Sequence, residues 1–121
     1  LSGEGSCLVH GDYGPQNLLL AADATEVLGI VDWEWARRGD PLEDLSWAEW
    51  IIRYHHPDSS AAVGALFDGY GQKPPWRDRH DEMLKNCDRT LRRAKARGNL
   101  GVIASWHERI DRTRRFVDMT G

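Results

Sequence analysis

The sequence changes character at residues 40–43, which carry a strong helix start. Asp40 can accept hydrogen bonds from free backbone N–H groups, Pro41 suits the first helical position, and Glu43 stands three residues after the cap. After this point apolar residues recur at helical spacing, whereas before it they form brief runs separated by Gly, Pro and Asp. The chain is therefore predicted to begin with a small β element and to continue as helices.

Three short apolar runs before residue 40 are predicted to be strands, at residues 7–9, 17–20 and 27–31. Two of them are expected to pair as a hairpin. The connecting residues 21–26 are more numerous than a tight hairpin turn needs, which leaves the geometry of the pairing open.

Four helices are predicted after residue 40. The first ends at the break before Pro57, the second spans about 59–70, the third spans 76–97, and the last spans about 100–119. The third and fourth helices each have an apolar stripe that is expected to face inward. Its members are Met83, Cys87, Leu91 and Ala94 on the third helix, and Ile103, Trp106, Ile110 and Val117 on the fourth.

Composition is consistent with one modest domain, because 40% hydrophobic residues with six tryptophans can build a core from 121 residues. No apolar stretch approaches the roughly 20 residues that span a bilayer, and residues 1–6 lack the features of a signal peptide. Cys7 and Cys87 are far apart and form no CxxC pair, so neither a disulfide framework nor a zinc site is suggested. These features predict a soluble, cytoplasmic protein with no membrane partner.

Charge is divided unevenly along the chain. Residues 1–58 hold 11 acidic and 3 basic residues, a net charge of −8, whereas residues 59–121 hold 8 acidic and 13 basic residues, a net charge of +5. The acidic half could serve a metal ion or a cationic substrate, and a solvated acidic face explains it equally well.

The third helix carries a basic run without a nucleic-acid reader motif, so a solvated face is favoured and no nucleic-acid partner is predicted. The run consists of Lys85, Arg89, Arg92, Arg93, Lys95 and Arg97.

Four tryptophans, Trp33, Trp35, Trp47 and Trp50, lie close to acidic residues in the sequence. Such a combination could bind an amine through cation–π contacts, but core packing is the favoured interpretation of each ring. Asp44, in the first turn of the predicted first helix, is interpreted as a helix-start residue in preference to a catalytic one. A second role for it as an anchor of the preceding loop is left open.

The segment HGDYGPQN, residues 10–17, contains the main catalytic candidates. Asp12 and Asn17 stand five residues apart in a loop rich in turn formers, between two predicted strands. Asp32 ends the next apolar run, so its carboxylate returns to the same end as the loop if the strands pair. Asn17 and Asp32 offer the hard oxygen donors that Mg²⁺ prefers, and a carboxylate at Asp12 can orient a hydroxyl and accept its proton. This grouping suits phosphoryl transfer, in which a protein mainly positions groups and neutralises charge.

Together with the segment GIVDWEWARRGDP, residues 29–41, this loop resembles the aminoglycoside phosphotransferase and choline kinase family, which shares the protein-kinase-like fold. The spacing from Asp12 to Asn17 also matches the kinase catalytic loop H-R-D-x-x-x-x-N, with Gly11 in the place of Arg. The resemblance is specific over residues 8–50. The rest of the chain matches only as a helical lobe of suitable size.

The resemblance implies an α+β, mainly helical fold, in which a small β element presents the catalytic loop and packs on about four helices. The chain would be the C-terminal lobe of the kinase-like fold, a single domain over residues 1–121. Its parts would be a catalytic loop at 8–20, a metal-binding segment at 27–35 and helices within 41–119.

At the matching positions, the resemblance implies that Asp12 is the catalytic base and that His10 supports the catalytic loop. Asn17 and Asp32 would bind Mg²⁺ and, through it, the phosphates of ATP. Glu34 matches an acidic position of the family's D-[FW]-E pattern and is a weaker candidate for metal binding or for anchoring the loop. The substrate would be a small molecule, with a cationic one such as an aminoglycoside or an amino alcohol favoured.

The family also has an N-terminal lobe with a phosphate-binding loop, an ATP-contacting Lys and a Glu partner for that Lys, and none of these is found in the sequence. Only nine residues precede His10. Unless another chain supplies this lobe, ATP binding and turnover are expected to be weak. The alternative function is that of a non-catalytic kinase-lobe fragment acting as a binding or interaction module. The face left for the missing lobe also suggests self-association into a homo-oligomer.

Overall fold

The computed structural model of the protein describes residues 7–118. Short strands precede four helices, so the prediction of a mainly helical α+β fold is confirmed. The elements in chain order are β1 (Cys7–Val9), a 3-10 helix (Pro15–Asn17), β2 (Leu18–Leu20), β3 (Val27–Ile30), β4 (Arg37–Gly39), α1 (Pro41–His55), α2 (Ser60–Tyr70), α3 (Trp76–Arg97) and α4 (Leu100–Arg114).

Helix α1 begins with the capping box that the sequence predicts. The Asp40 side chain accepts a hydrogen bond from the N–H of Leu42 at 2.9 Å, and the Glu43 side chain accepts one from the Asp40 backbone N–H at 2.9 Å. Glu43 also pairs with Arg37 of β4 and, at 3.3 Å, with Arg89 of α3. Burial by itself would raise the pKa of Glu43, but these hydrogen bonds and positive charges hold that pKa below its ordinary value. The first turn of α1 is thereby fixed between a strand and a second helix.

The strands form two antiparallel pairs. β2 pairs with β3, with Leu18 opposite Ile30, so the predicted hairpin is confirmed. β1 pairs with β4, with Val9 opposite Arg37. The sequence does not predict β4, because its three residues are polar or glycine and show no apolar alternation. Residues 10–17 run from β1 to β2 and therefore join the two sheets.

The main core lies between α1, α3 and α4, and a second cluster packs α2 against α1. The predicted inward stripe of α3 is buried throughout its length. Among residues 7–118, no helix combines the length and the apolar character needed to cross a membrane. The buried residues of the main core are Trp50, Ile51, Met83, Cys87, Leu91 and Trp106, and those of the second cluster are Leu45, Val63 and Phe67.

The last helix is shorter than the sequence predicts. α4 ends at Arg114 instead of continuing to about residue 119, and Val117, which was assigned to its inner stripe, is 66% exposed. Arginines of two other helices hold the residues that follow. Arg53 donates a hydrogen bond to the Val117 carbonyl at 3.0 Å, and Arg79 pairs with Asp118 at 3.3 Å. Residue 119 lies outside the described residues.

Candidate active site

The loop of residues 10–17, here called the HGD loop, is supported by the buried imidazole of His10, which is 2% exposed. Its Nδ1 accepts a hydrogen bond from the Asp12 N–H at 3.0 Å, and its Nε2 donates to the Val31 carbonyl at 2.7 Å. A ring with one acceptor nitrogen and one donor nitrogen is a neutral imidazole in its Nε2–H tautomer. His10 therefore ties the HGD loop to the residue that follows β3.

Asp44 of α1 holds the beginning of the HGD loop. Its two carboxylate oxygens accept hydrogen bonds from the backbone N–H groups of His10, at 2.7 Å, and of Gly11, at 3.0 Å. Hydrogen bonds to a charged acceptor are stronger than those between neutral groups. Asp44 therefore anchors the loop in addition to lying in the first turn of its helix.

Gly11 lets the HGD loop pass against Trp35. Its φ is +88°, a region that favours glycine, and a Cβ added there would lie 2.5 Å from the Trp35 carbonyl oxygen. Any side chain at this position would force either Trp35 or the loop to move.

Gly11→Ala is therefore expected to destabilise the fold by about 1 to 3 kcal/mol and to lower activity, because Asp12 follows directly in the chain. Thermal unfolding and transfer assays measure the two effects. Gly64→Ala is the matched control, since a Cβ at Gly64 of α2 would meet nothing within 4 Å. That helical substitution should stabilise the fold by about 0.5 to 1 kcal/mol. Similar unfolding temperatures for the two variants would contradict the expected clash at Trp35.

The carboxylate of Asp12 is half-buried near the middle of the HGD loop. Its Oδ1 accepts a hydrogen bond from the indole N–H of Trp47 at 2.9 Å, and its Oδ2 lies 3.4 Å from Nδ2 of Asn17. The second contact is long, so Oδ2 keeps lone pairs for a further hydrogen bond. Sequence reasoning assigned Trp47 to the core and missed its bond to Asp12. The sequence does contain one indication of this bond. Trp47 stands three residues after Asp44, so both side chains lie on one face of α1.

Asn17 is buried, with 4% of its surface exposed, and its amide nitrogen donates to the Asp12 carbonyl at 2.8 Å. Its backbone carbonyl accepts a hydrogen bond from the Val31 N–H at 2.9 Å. These contacts direct the amide nitrogen towards Asp12. The side-chain oxygen Oδ1 is then the atom that could bind a cation.

Asp32 lies at the same end of the β2–β3 hairpin as Asn17. Both His10 and Asn17 bond to the backbone of Val31, which directly precedes Asp32. The φ of Asp32 is +63°, a left-handed conformation that non-glycine residues adopt uncommonly. Its side chain is exposed. Strained backbone of this kind concentrates at functional sites, where a fixed geometry is required.

Glu34 lies two residues further along, in an exposed turn closed by a hydrogen bond from the Ala36 N–H to the Trp33 carbonyl at 2.9 Å. Trp33 packs on His10, with 4.6 Å between the ring centroids. Within residues 7–118, no hydrogen bond joins Glu34 to the HGD loop. The structure therefore places Glu34 beside the site but leaves it less constrained than Asp32.

The oxygen donors at this edge suit a metal that shares its coordination with a bound ligand. Among residues 7–118, no group of three or more His, Cys, Asp and Glu side chains is arranged to hold a metal ion. Mg²⁺ usually takes one or two carboxylates from a protein and completes its octahedron with phosphate and water. The amide oxygen of Asn17 and the carboxylate of Asp32 fit that chemistry.

Two cavities adjoin Asp12. The first, here called the α3–α4 cavity, has a volume of about 470 Å³ and is walled partly by Trp35, Trp47 and Trp106. The second, of about 560 Å³, shares Asp12, Trp47 and Trp106 with the first and extends towards His55 and the end of α1. Neither Asn17 nor Asp32 lines either cavity. Both cavities therefore adjoin the candidate base and are lined by neither candidate metal ligand.

The four tryptophans that the sequence grouped do not form one pocket. Trp33 packs on His10, whereas Trp47 stacks on Trp50 with 4.7 Å between the centroids and an interplanar angle of 3°. Trp35 is covered by the guanidinium of an arginine of α3. All four rings therefore have partners from the chain itself.

The sequence profile of the phosphotransferase enzyme family matches residues 3–83 of the chain. The chain is also 38% identical over 52 residues to acyl-CoA dehydrogenase family member 10 of Mus musculus, and 35% identical over 57 residues to acyl-CoA dehydrogenase family member 11 of Gallus gallus. The two alignments cover 43% and 47% of the chain. They cover 5% and 7% of the relatives, so the chain spans only a small part of the length of the curated proteins it matches.

No solved structure gives a significant match to the chain. The match to the family, at residues 3–83 of 121, covers more than half of the chain. It includes the whole HGD loop together with Asp32 and Glu34. The chain belongs to the phosphotransferase enzyme family.

Proposed function

We propose that the chain carries the catalytic and metal-binding residues for ATP- and Mg²⁺-dependent transfer of a phosphoryl group to a hydroxyl of a small molecule. Membership of the family supports the class of reaction. The observation that carries the proposal is a chain of two hydrogen bonds: Asn17 to Asp12 at 2.8 Å, and Val31 to Asn17 at 2.9 Å. These bonds link the segment that carries Asp12 and Asn17 to Val31, the residue directly before Asp32.

In this proposal Asp12 orients the acceptor hydroxyl and accepts its proton at Oδ2. Trp47 donates a hydrogen bond to the other oxygen of the same carboxylate, which fixes the orientation of the group. Asn17 and Asp32 bind Mg²⁺ through their oxygens. When bound, ATP and Mg²⁺ supply the phosphoryl group and neutralise its developing charge. The need for ATP is also consistent with the cytoplasmic location that the sequence predicts.

Asp32→Asn tests the metal-binding part of the proposal. The amide tolerates the left-handed backbone but lacks the charge, so Mg²⁺-dependent nucleotide binding should weaken by about tenfold or more. Calorimetric titration of ATP, with Mg²⁺ and with a chelator, measures the effect on the full protein that the gene encodes. Asp23→Asn is the control, because Asp23 is an exposed acid of the same hairpin whose bonds go to Thr25. Equal ATP binding by wild type and Asp32→Asn would rule out Asp32 as a ligand.

The β2–β3 hairpin presents exposed apolar side chains, which we propose are covered in the working protein. Leu19, Leu20, Val27 and Leu28 are each at least half exposed. Clustered apolar surface of this kind marks a contact site. The N-terminal nucleotide-binding lobe implied by the resemblance is the first candidate occupant, and a second copy of the chain is the other. Sedimentation of the full gene product separates the two, since a monomer favours the lobe and a dimer favours the second copy.

A further inference from the structure

Two arginines of α3 line the α3–α4 cavity. Thr90, Arg93, Ala94 and Arg97 recur at helical spacing and contribute one wall. From the sequence alone, Arg93 and Arg97 belong to the basic run of α3, for which a solvated face is favoured. The structure places these two cations beside the HGD loop.

Arg93 and Arg97 differ from their neighbours on α3 in their partners. Arg89 pairs with Glu43 at 3.3 Å, and Arg92 pairs with an aspartate of its own helix at 2.9 Å. In the part of the chain that the structure describes, no carboxylate lies within ion-pair distance of Arg93 or Arg97. Both positive charges are therefore available to a ligand.

Arg93 is held ready for such a ligand. Its guanidinium is half-buried and stacks on Trp35, with Cζ 3.8 Å from the ring centroid. Stacking on an aromatic face leaves the in-plane N–H groups free to bind a carboxylate or a phosphate with two parallel hydrogen bonds. Burial lowers the pKa of Arg93, and the charges of Arg89 and Arg37 lower it further, against the opposing effect of Asp12. Arginine remains charged at neutral pH, so Arg93 contributes a positive charge to the cavity wall.

The same wall disfavours a cationic ligand. An amine would bind best over an aromatic face, but Arg93 covers a face of Trp35. The chain's own arginine therefore occupies an aromatic face that an amine would need. An amine in this cavity would also be repelled by Arg97.

The position of the cavity indicates which of the two substrates it could bind. Gly11 and Asp12 line it, whereas Asn17 and Asp32 do not. A ligand there can reach the candidate base without displacing a metal ligand. An acceptor must reach the base in this way, whereas a nucleotide must reach the metal ligands.

We propose that the acceptor is a hydroxyl-bearing organic anion with an apolar body, whose carboxylate or phosphate binds Arg93 and Arg97 in the α3–α4 cavity. This assignment rests on the proposed function, and it reverses the charge that the sequence favoured for the substrate. The hydroxyl would face Asp12 and the apolar body would contact the tryptophan walls. Transfer would break the bond from the γ-phosphorus to the bridging oxygen of ATP, form a bond to the acceptor oxygen, release ADP, and leave the hydroxyl proton on Asp12.

Three probes of equal length and different charge test the assignment by direct binding: hydroxyhexanoate, hexanediol and aminohexanol. The tryptophans of the cavity provide a fluorescence signal from the 121-residue chain that needs no ATP. We expect hydroxyhexanoate to bind about tenfold or more tightly than the other two probes. Glycerol phosphate, titrated in the same way, distinguishes a phosphate ligand from a carboxylate ligand.

Arg93→Gln is expected to weaken hydroxyhexanoate binding by about tenfold or more. Arg97→Gln removes an exposed side chain, so it should fold normally and still weaken binding severalfold. Arg92→Gln is the matched control on the same helix, because Arg92 lies outside the cavity, and it should leave binding unchanged.

Two results would overturn the assignment: aminohexanol binding as tightly as hydroxyhexanoate, or anion binding that survives both Arg93→Gln and Arg97→Gln. Displacement of hydroxyhexanoate by ATP would also overturn it, because the arginines would then hold the nucleotide. Asp12→Asn should retain anion binding while losing transfer. If the anion binds through the arginines but the gene product transfers no phosphoryl group, only the proposed function is contradicted. If the gene product transfers a phosphoryl group but the arginines bind no anion, only this inference is contradicted.

Discussion

Replacing Asp12 with Asn is expected to lower the rate of phosphoryl transfer by about 10²- to 10⁴-fold while the fold remains stable. An amide has nearly the shape of the carboxylate and can still accept the 2.9 Å hydrogen bond from the Trp47 indole. It cannot accept the hydroxyl proton. Because Asn17 and Asp32 are unchanged, the loss should fall on kcat and leave the KM for ATP close to that of the wild type.

Steady-state kinetics of the full gene product, together with its melting temperature, measure this effect. Asp44→Asn is the matched control, since its carboxylate also contacts the HGD loop, but through the N–H groups of His10 and Gly11. That variant should lose stability as well as rate, because the amide nitrogen that replaces one carboxylate oxygen cannot accept a hydrogen bond. An Asp12→Asn protein that keeps more than about a tenth of the wild-type kcat would show that Asp12 is not the base.

The largest effect on stability is expected from Arg79→Leu. Arg79 and Glu49 are fully buried, with side chains 0% exposed, and their charged groups lie 2.8 Å apart. Glu49 also pairs with Arg53 at 2.7 Å through the same carboxylate oxygen. Removing Arg79 leaves a buried carboxylate with a single partner, which should lower the free energy of unfolding by about 3 to 5 kcal/mol. The end of the described chain should loosen as well, because Arg79 pairs with Asp118.

Denaturant titration measures this loss, and an exposed pair on the same helix provides the control. Lys85 and Asp81 lie 3.1 Å apart with both side chains more than half exposed, so Lys85→Leu should change stability by less than about 1 kcal/mol. The double variant Glu49→Leu with Arg79→Leu should lose less than the sum of the two single losses, because no uncompensated Glu49 charge remains. An Arg79→Leu loss as small as that of Lys85→Leu would contradict the expected role of the buried pair.

Most helix boundaries could be predicted because each has a local chemical cause. The Asp40 cap begins α1, and Gly71 and Gly98 end α2 and α3 in left-handed conformations, with φ of +98° and +71°. One or two residues are sufficient to recognise each of these signals. The end of α4 has no comparable signal, because Arg53 and Arg79 act on the following residues from distant parts of the chain.

The candidate site divides in the same way. Spacing along the sequence, and the resemblance that this spacing carries, point to Asp12, Asn17 and Asp32 as candidates. Trp47 is not among them, because its hydrogen bond to Asp12 joins residues 35 positions apart. The place of Arg93 in the cavity could not be predicted from the basic run. Helical spacing predicts which residues share a face of a helix but not what lies opposite that face.

The attachment of the HGD loop to α1 through Asp44 and Trp47 also bears on how such an enzyme could change its preference for an acceptor. The candidate base Asp12 is bonded to α1 through Trp47, the candidate metal ligands lie in the HGD loop and after β3, and the cations of the cavity belong to α3. Each task therefore rests on a different segment. Under the proposed function, substitutions at Arg93 or Arg97 would exchange one acceptor for another while Asp12, Asn17 and Asp32 keep their positions, so acceptor selectivity would diverge among homologues that keep the same loop.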